Sequence, residues 1–324
     1  MHCVVKLRRM ALLLCDENMN KEDLKQFVES NPKLVTMREC GGYPGLYVLK
    51  YSKKVFYDNL WNEYLEECRG TIVDSDFNVV SRPFTKVYNY GIESKAPVLG
   101  ANTLVTAYRK VNGFMVAMTC YNGDILVSTT GSTDSEYVAM AKEMMLKHQC
   151  WEDWRFAVYD AEGMTLLFEC VHPNDPHIVV EKPGMYFLGW RENRWDSVVR
   201  GWSCSGVWRE YASTDLACHA VASYQVTLGE LQEMTKKCRH EGFVFYTQSN
   251  ASAKIKSPYY LTSKWVARNP RTDKLVDMKN DIKKNLDEEY YPLVDAIRAN
   301  IVNYTSMDEQ QRLAWVRNFV DKVE

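Results

Sequence analysis

Residues 106–118 read TAYRKVNGFMVAM. β-branched, aromatic and small apolar residues lie on both sides of a Lys-Val-Asn-Gly insert, so two strands flank a short segment that carries one lysine. Asn-Gly tolerates positive φ and is a strong turn signal, and on that ground alone Lys110 is the solvated shoulder of a hairpin. A reactive lysine would instead need partners from distant parts of the chain, and the remaining sequence has to supply them.

Moving outward, apolar alternation continues from Thr103 to Thr130 through strands whose better hairpin turn is YNGD at 121–124. SEYVAMAKEMMLKH then places Tyr137, Met140, Ala141, Met144 and Met145 at helical spacing, a stripe that reads as core. MTLLFECV, HIVV and MYFLGW fit buried strands. TLGELQEMTKKCRH reads as a helix running into the strand EGFVFYT, with a second strand, ASAKIKS, close behind. Upstream, NKEDLKQFVES opens a helix capped by Asn20, GLYVLKYS is a strand, and GTIVDSDFNVVSRPF is a hairpin turned at Asp74 to Asn78. Beyond about Pro270 the chain becomes charged, amphipathic and free of glycine. These elements predict an α+β fold of antiparallel sheets with flanking helices, followed by a small all-helical C-terminal subdomain.

The 324 residues are 46% hydrophobic and 25% charged, enough for one large core and a smaller one. No apolar run approaches the roughly 18 residues of a membrane span, and the N-terminal 20 residues lack a small-residue cleavage pattern, so a cytoplasmic protein without a membrane partner is expected. The ten cysteines are scattered, with no CxxC pair, and read as reduced thiols. His172 and His177, in VHPNDPHIVV, read as loop residues rather than metal ligands. A formal charge of −2 excludes a general polycation that coats nucleic acid, so any such contact needs a local basic groove.

Charged residues embedded in strand-like context carry the chemistry, because an unpaired buried ion costs several kcal/mol. They are Arg69, Lys86, Lys110, Glu169, Glu241, Lys254 and Lys256. Strand alternation in AKIKS puts Lys254 and Lys256 on one face, where two ammoniums repel unless an anion lies between them. A phosphate chain is the natural anion; the plain alternative is a solvent-facing edge strand. A free lysine, with pKa about 10.4, is almost wholly protonated near neutral pH, so neighbouring cations and partial burial are expected to lower the pKa of Lys110. Gly113 would let the backbone approach a nucleotide closely.

KVNG at 110–113, FECV at 168–171, EGFV at 241–244 and KIKS at 254–257, in that order, resemble motifs I, III, IV and V of the covalent nucleotidyltransferase superfamily. ECRG at 67–70 and SRPFTKVYNY at 81–90 narrow the resemblance to the RNA ligase 1 family of bacteriophages, over about Leu46 to Trp265. It implies a nucleotidyltransferase (ATP-grasp-like ligase) domain over 1–268, with 1–100 a family-specific region and 101–268 the motifs, and a helical subdomain over 269–324.

The implied activity is ATP-dependent joining of RNA 5'-phosphate and 3'-hydroxyl ends, in RNA or tRNA repair, through a lysyl-AMP and an RNA-adenylate. Lys110 would be the AMP carrier, with Lys254 and Lys256 on the α-phosphate and Arg69 and Lys86 on the triphosphate. Glu169 and Glu241 would serve the ribose, the catalytic metal and the orientation of Lys110, and Gly113 would line the nucleotide. ATP and Mg2+, or Mn2+ in its place, are the implied cofactors, and RNA, including tRNA, the implied partner. A kinase-phosphatase that heals RNA ends is a further implied partner. A monomer is expected because the motifs need nothing from a second chain, and a viral origin would put it in the host cytoplasm.

Three departures stand out. Asn112 occupies a position where the family often has an acid; it can hydrogen-bond but neither neutralise a cation nor act as a base. Thr130, in STTGS at 128–132, replaces a common basic residue, and the tail is shorter than the helical domain that recognises tRNA in the best-known member. The rivals are a GTP-dependent capping guanylyltransferase or a DNA ligase, both of which continue into an OB-fold rather than helices, and a non-catalytic RNA- or nucleotide-binding module that keeps the pocket.

Overall fold

The computed structural model describes residues 19–149, 151–195, 218–268, 275–279, 281–285 and 291–320. Strands β1 (Val35–Cys40), β2 (Tyr43–Tyr51), β3 (Arg69–Asp74) and β4 (Val79–Ser81) form an antiparallel sheet in chain order. β5 (Leu104–Arg109) leaves that sheet and enters a second one. β6 (Phe114–Tyr121), β7 (Asp124–Ser128), β8 (Met164–Val171), β9 (Gly184–Glu192) and β10 (His219–Ala220) build a central sheet in the order β10-β9-β8-β6-β7. β11 (Ser223–Thr227), β12 (Gly242–Thr247) and β13 (Ser252–Lys256) join β5 in the order β11-β5-β12-β13. All pairings are antiparallel except the two-residue β10 against β9.

The predicted YNGD turn closes the β6–β7 hairpin, with Asn122 at φ 52° and Gly123 at φ 76°, the left-handed pair that a tight two-residue turn requires. KVNG makes no such turn. β5 and β6 belong to different sheets, so Lys110 to Gly113 form the crossover between them and the hairpin expected there is absent.

The central sheet buries one face under helices Glu136–His148 and Trp151–Asp160, around Val116, Met118, Leu166, Phe168 and Trp154. The predicted methionine stripe is core, in a slightly rotated register: Val138, Ala141, Met144 and Met145 are buried, whereas Tyr137 faces out. Upstream, the helix Lys21–Ser30 begins as predicted, with the Asn20 side chain accepting from the Glu22 N–H and Leu24 and Val28 buried.

HIVV is not a strand. Residues 177–180 form an irregular strap whose Val179 N–H donates to a side chain, Asn112 Oδ1 (3.1 Å), rather than to a neighbouring strand. The six described cysteines, Cys40, Cys68, Cys120, Cys170, Cys218 and Cys238, are thiols rather than disulfides. The predicted N-terminal features before Met19, with Cys3 and Cys15, lie outside the described residues. Past β13 come helices Pro258–Arg268, Tyr291–Ala299, Ile301–Ser306 and Glu309–Val320, whose Leu293, Ile297, Tyr304 and Val316 form their own small core with Leu275.

Candidate active site

Lys110 stands at the end of β5, where its backbone N–H donates to the Gly242 carbonyl at 2.8 Å. That contact places Glu241, the residue before β12, against the lysine side chain: Lys110 Nζ donates to Glu241 Oε2 at 3.0 Å. Lys256, at the end of β13, reaches the other carboxylate oxygen at 3.2 Å, and Asn112 Nδ2 donates to Oε2 at 2.7 Å. Three sequence-predicted residues thus converge on a fourth, which is buried.

Gly113 starts the approach to the central sheet. Its N–H donates to Glu169 Oε1 at 3.1 Å, and a Cβ built on it would lie 2.3 Å from the Cys170 carbonyl oxygen. The glycine is therefore required by close packing of β6 on β8, and its place in the fold is set by Cys170 rather than by a turn or a nucleotide alone.

The electrostatics reverse one expectation. Burial alone would lower the pKa of Lys110, but Glu241 and Glu169 outweigh it and raise the value, so the amine is held protonated. The lysine whose pKa falls is Lys254, to about 7, through burial and the charges of Arg69, Lys256, Lys86 and Lys110. Among the described residues no carboxylate pairs with Lys254 or Arg69; the guanidinium of Arg69 lies over the Tyr51 ring, 5.9 Å from its centroid. Lys86 is nearby but engaged, donating to Glu93 Oε1 at 2.6 Å between the rings of Trp61 and Tyr88.

Glu93, Trp61 and Tyr260, which sits under Lys256 with its ring centroid 4.8 Å from Nζ, are site neighbours that sequence reading missed. Glu93 lies only seven residues after Lys86, in reach of the same loop, and was the one with a usable signal. Arg109 and Glu181 were missed as well; Arg109 Nη2 donates to Glu181 Oε2 at 2.7 Å.

Burial pushes Glu169 up to about 7; Lys110 opposes that rise, and Glu241 and Glu181 reinforce it. Glu241 is lowered, because Lys110 and Lys256 overcome the effect of its burial. Among the described residues no group of three or more metal-ligating side chains converges. Glu169 and Glu241 therefore fit a divalent cation only as part of a set completed by phosphate oxygens and water, the usual environment of magnesium beside a nucleotide. The arrangement as a whole sets Lys254 and Arg69, with which no described carboxylate pairs, close enough to shift one another's charge beside a Lys110 held by Glu241.

A family model for RNA ligase, of the bacteriophage RNA ligase 1 type, matches residues 67–260. A protein of Autographa californica nuclear polyhedrosis virus, named provisionally as a bifunctional polynucleotide kinase/RNA ligase, is 26% identical over 219 residues. That match takes in 60% of this chain, which spans only 30% of the relative's length.

Among solved structures, an archaeal ATP-dependent RNA ligase superposes with a TM-score of 0.51 at 13% identity, covering 92% of this chain and 79% of that one. A chain from Aquifex aeolicus, provisionally an ATP-dependent DNA ligase, gives a TM-score of 0.51 at 15% identity, covering 92% and 77%. At such identities these likenesses establish the nucleotidyltransferase fold.

Proposed function

Because the chain belongs to the bacteriophage RNA ligase 1 family, we propose that it is an ATP-dependent RNA ligase that carries AMP on Lys110. The observation that carries this reading is the convergence of Lys110, Asn112 and Lys256 on the buried Glu241, beside a Lys254 that no described carboxylate neutralises.

In the proposed sequence, Lys110 Nζ loses its proton and attacks the α-phosphorus of ATP, forming a P–N bond as the P–O bond to pyrophosphate breaks. The RNA 5'-phosphate then takes the AMP and frees the lysine. Finally the RNA 3'-hydroxyl, giving up its proton, attacks the 5'-phosphorus and expels AMP.

Arg69, Lys254 and Lys256 would hold the phosphates, with Lys86 joining them once Glu93 yields. Glu169 and Glu241 would hold Mg2+ or Mn2+, whose positive charge, when bound, offsets the carboxylates that keep Lys110 protonated. Asn112 cannot serve as a base, so orientation of the 3'-hydroxyl falls to other groups.

We assign residues 1–268 to the adenylyltransferase domain and 269–324 to a helical subdomain. A role in tRNA repair, alongside a kinase that prepares the RNA ends, fits the pairing of activities in the baculovirus relative's name. No described helix is long and apolar enough to cross a membrane. A monomer is proposed on the sequence motifs, which call for nothing from a second chain.

The test is incubation with labelled ATP or GTP and a divalent metal, followed by scoring of acid-labile, base-stable label on the protein. Label from ATP that vanishes in Lys110→Ala is expected. Label from GTP would indicate a capping enzyme, and no label a binding module. Circularisation of a 5'-phosphorylated RNA then scores sealing.

A further inference from the structure

We infer that Glu181 is a positioning residue for the nucleophile, mounted on the 177–181 strap and held there by the C-terminal helix; the inference rests on Lys110 being the AMP carrier. The Glu181 side chain is only 3% exposed, and its Oε2 accepts from Arg109, the residue immediately before Lys110. The backbone N–H of Asn112, on the other side of Lys110, also favours its charged form. One carboxylate thus bears on both flanks of the reacting lysine.

Stability does not account for it. Burial alone raises the pKa of Glu181, and among the described residues Oε1 closes no hydrogen bond and the buried Arg109 Nε finds no partner. A half-satisfied buried carboxylate costs more than a partly exposed arginine returns.

The strap is fixed at both ends of a hydrogen-bonded path. Arg317 Nε, in the helix Glu309–Val320, donates to the Ile178 carbonyl at 2.9 Å. Ile178 and Val179 are buried with Tyr260, Ala267 and Leu313. The Val179 N–H donates to Asn112 Oδ1, and Asn112 Nδ2 donates to the same Glu241 oxygen that receives Lys110. The C-terminal helix therefore reaches the nucleophile through four named residues, and the tail is part of the catalytic unit rather than a separate RNA-recognition appendage.

The test measures single-turnover lysine adenylation across ATP concentrations in the full chain, with Glu181→Gln, Glu181→Asp and Arg317→Gln. Misplacing a reacting group by about 1 Å costs about 100-fold, so Glu181→Gln is expected to slow the maximal rate about 10- to 100-fold. The ATP concentration at half-maximal rate should change less than about threefold, and Glu181→Asp should restore part of the rate. Arg317→Gln should slow adenylation less, and should add little to Glu181→Gln because both act through the one segment 177–181, at Ile178 and at Glu181.

Maximal rates at the wild-type level in well-folded Glu181→Gln and Arg317→Gln would overturn the inference, as would a defect confined to ATP affinity. If Glu181→Gln does not fold, Glu181→Asp and Arg317→Gln carry the same test. Adenylation that survives in Lys110→Ala would instead remove the reading of Lys110 itself, so the two failures are distinguishable.

Discussion

At the residue scale, two neighbouring lysines have opposite shifts because their partners differ. Lys110 has carboxylates, and Lys254 has other cations. An ammonium with pKa lowered to about 7 by burial and like charges is half-neutral at neutral pH in the free protein. A bound triphosphate favours the charged form, so binding should take up a proton as the pH rises above about 7, and affinity should weaken towards the lysine's ordinary value near 10.5. The limit for one linked proton is about tenfold per pH unit. Calorimetry with a non-reactive ATP analogue, in buffers of different ionisation enthalpy, counts that proton. Lys254→Met should flatten the pH profile, and a flat profile in the parent protein would sink the assignment.

At the element scale, the β5–β6 crossover places Lys110 between sheets and lays β6 directly on β8. Gly113→Ala tests that packing, because the new Cβ would meet the Cys170 carbonyl at 2.3 Å and displace the N–H that serves Glu169. Overpacking of this kind costs about 1–3 kcal/mol. The urea midpoint should fall and adenylation should drop with it; an Ala variant with unchanged stability and activity would show that β6 can shift freely.

Strand content, the YNGD turn and the helix cap at Asn20 were legible because local chemistry decides them. The same holds for Lys110, Glu169, Glu241, Lys254 and Lys256, whose charge in apolar context marks them. The partition of strands among sheets was not legible, since KVNG and YNGD both carry Asn-Gly and only long-range pairing makes one a crossover and the other a hairpin. HIVV has the composition of a strand, yet Asn112 takes the Val179 N–H. Glu181 carried no local signal, because its partner Arg109 is 72 residues away in sequence.

At the scale of the whole molecule, the N-terminal and central sheets are tied by charge as well as by apolar packing. Glu67, one residue before the Cys68 that leads into β3, receives Arg82 at 3.0 and 3.2 Å and Arg191 of β9 at 2.9 and 3.1 Å, all three being buried. Burial alone would raise the pKa of Glu67, but Arg191 and Arg82 overturn this and lower it to about 2. Its sequence context, ECRG, drew attention to Arg69, whereas Glu67 proves to be the junction.

Glu67→Gln would leave two buried guanidiniums facing a neutral amide, a loss of about 3–5 kcal/mol. The sign with pH follows from a folded pKa below the ordinary 4.5: the stabilisation is complete above about 4.5 and is lost as the pH falls towards 2. Urea unfolding at pH 7 and pH 3 should therefore show a wide gap between the parent protein and Glu67→Gln that narrows in acid. Equal gaps at the two pH values would mean that Glu67 joins the sheets by shape and not by charge.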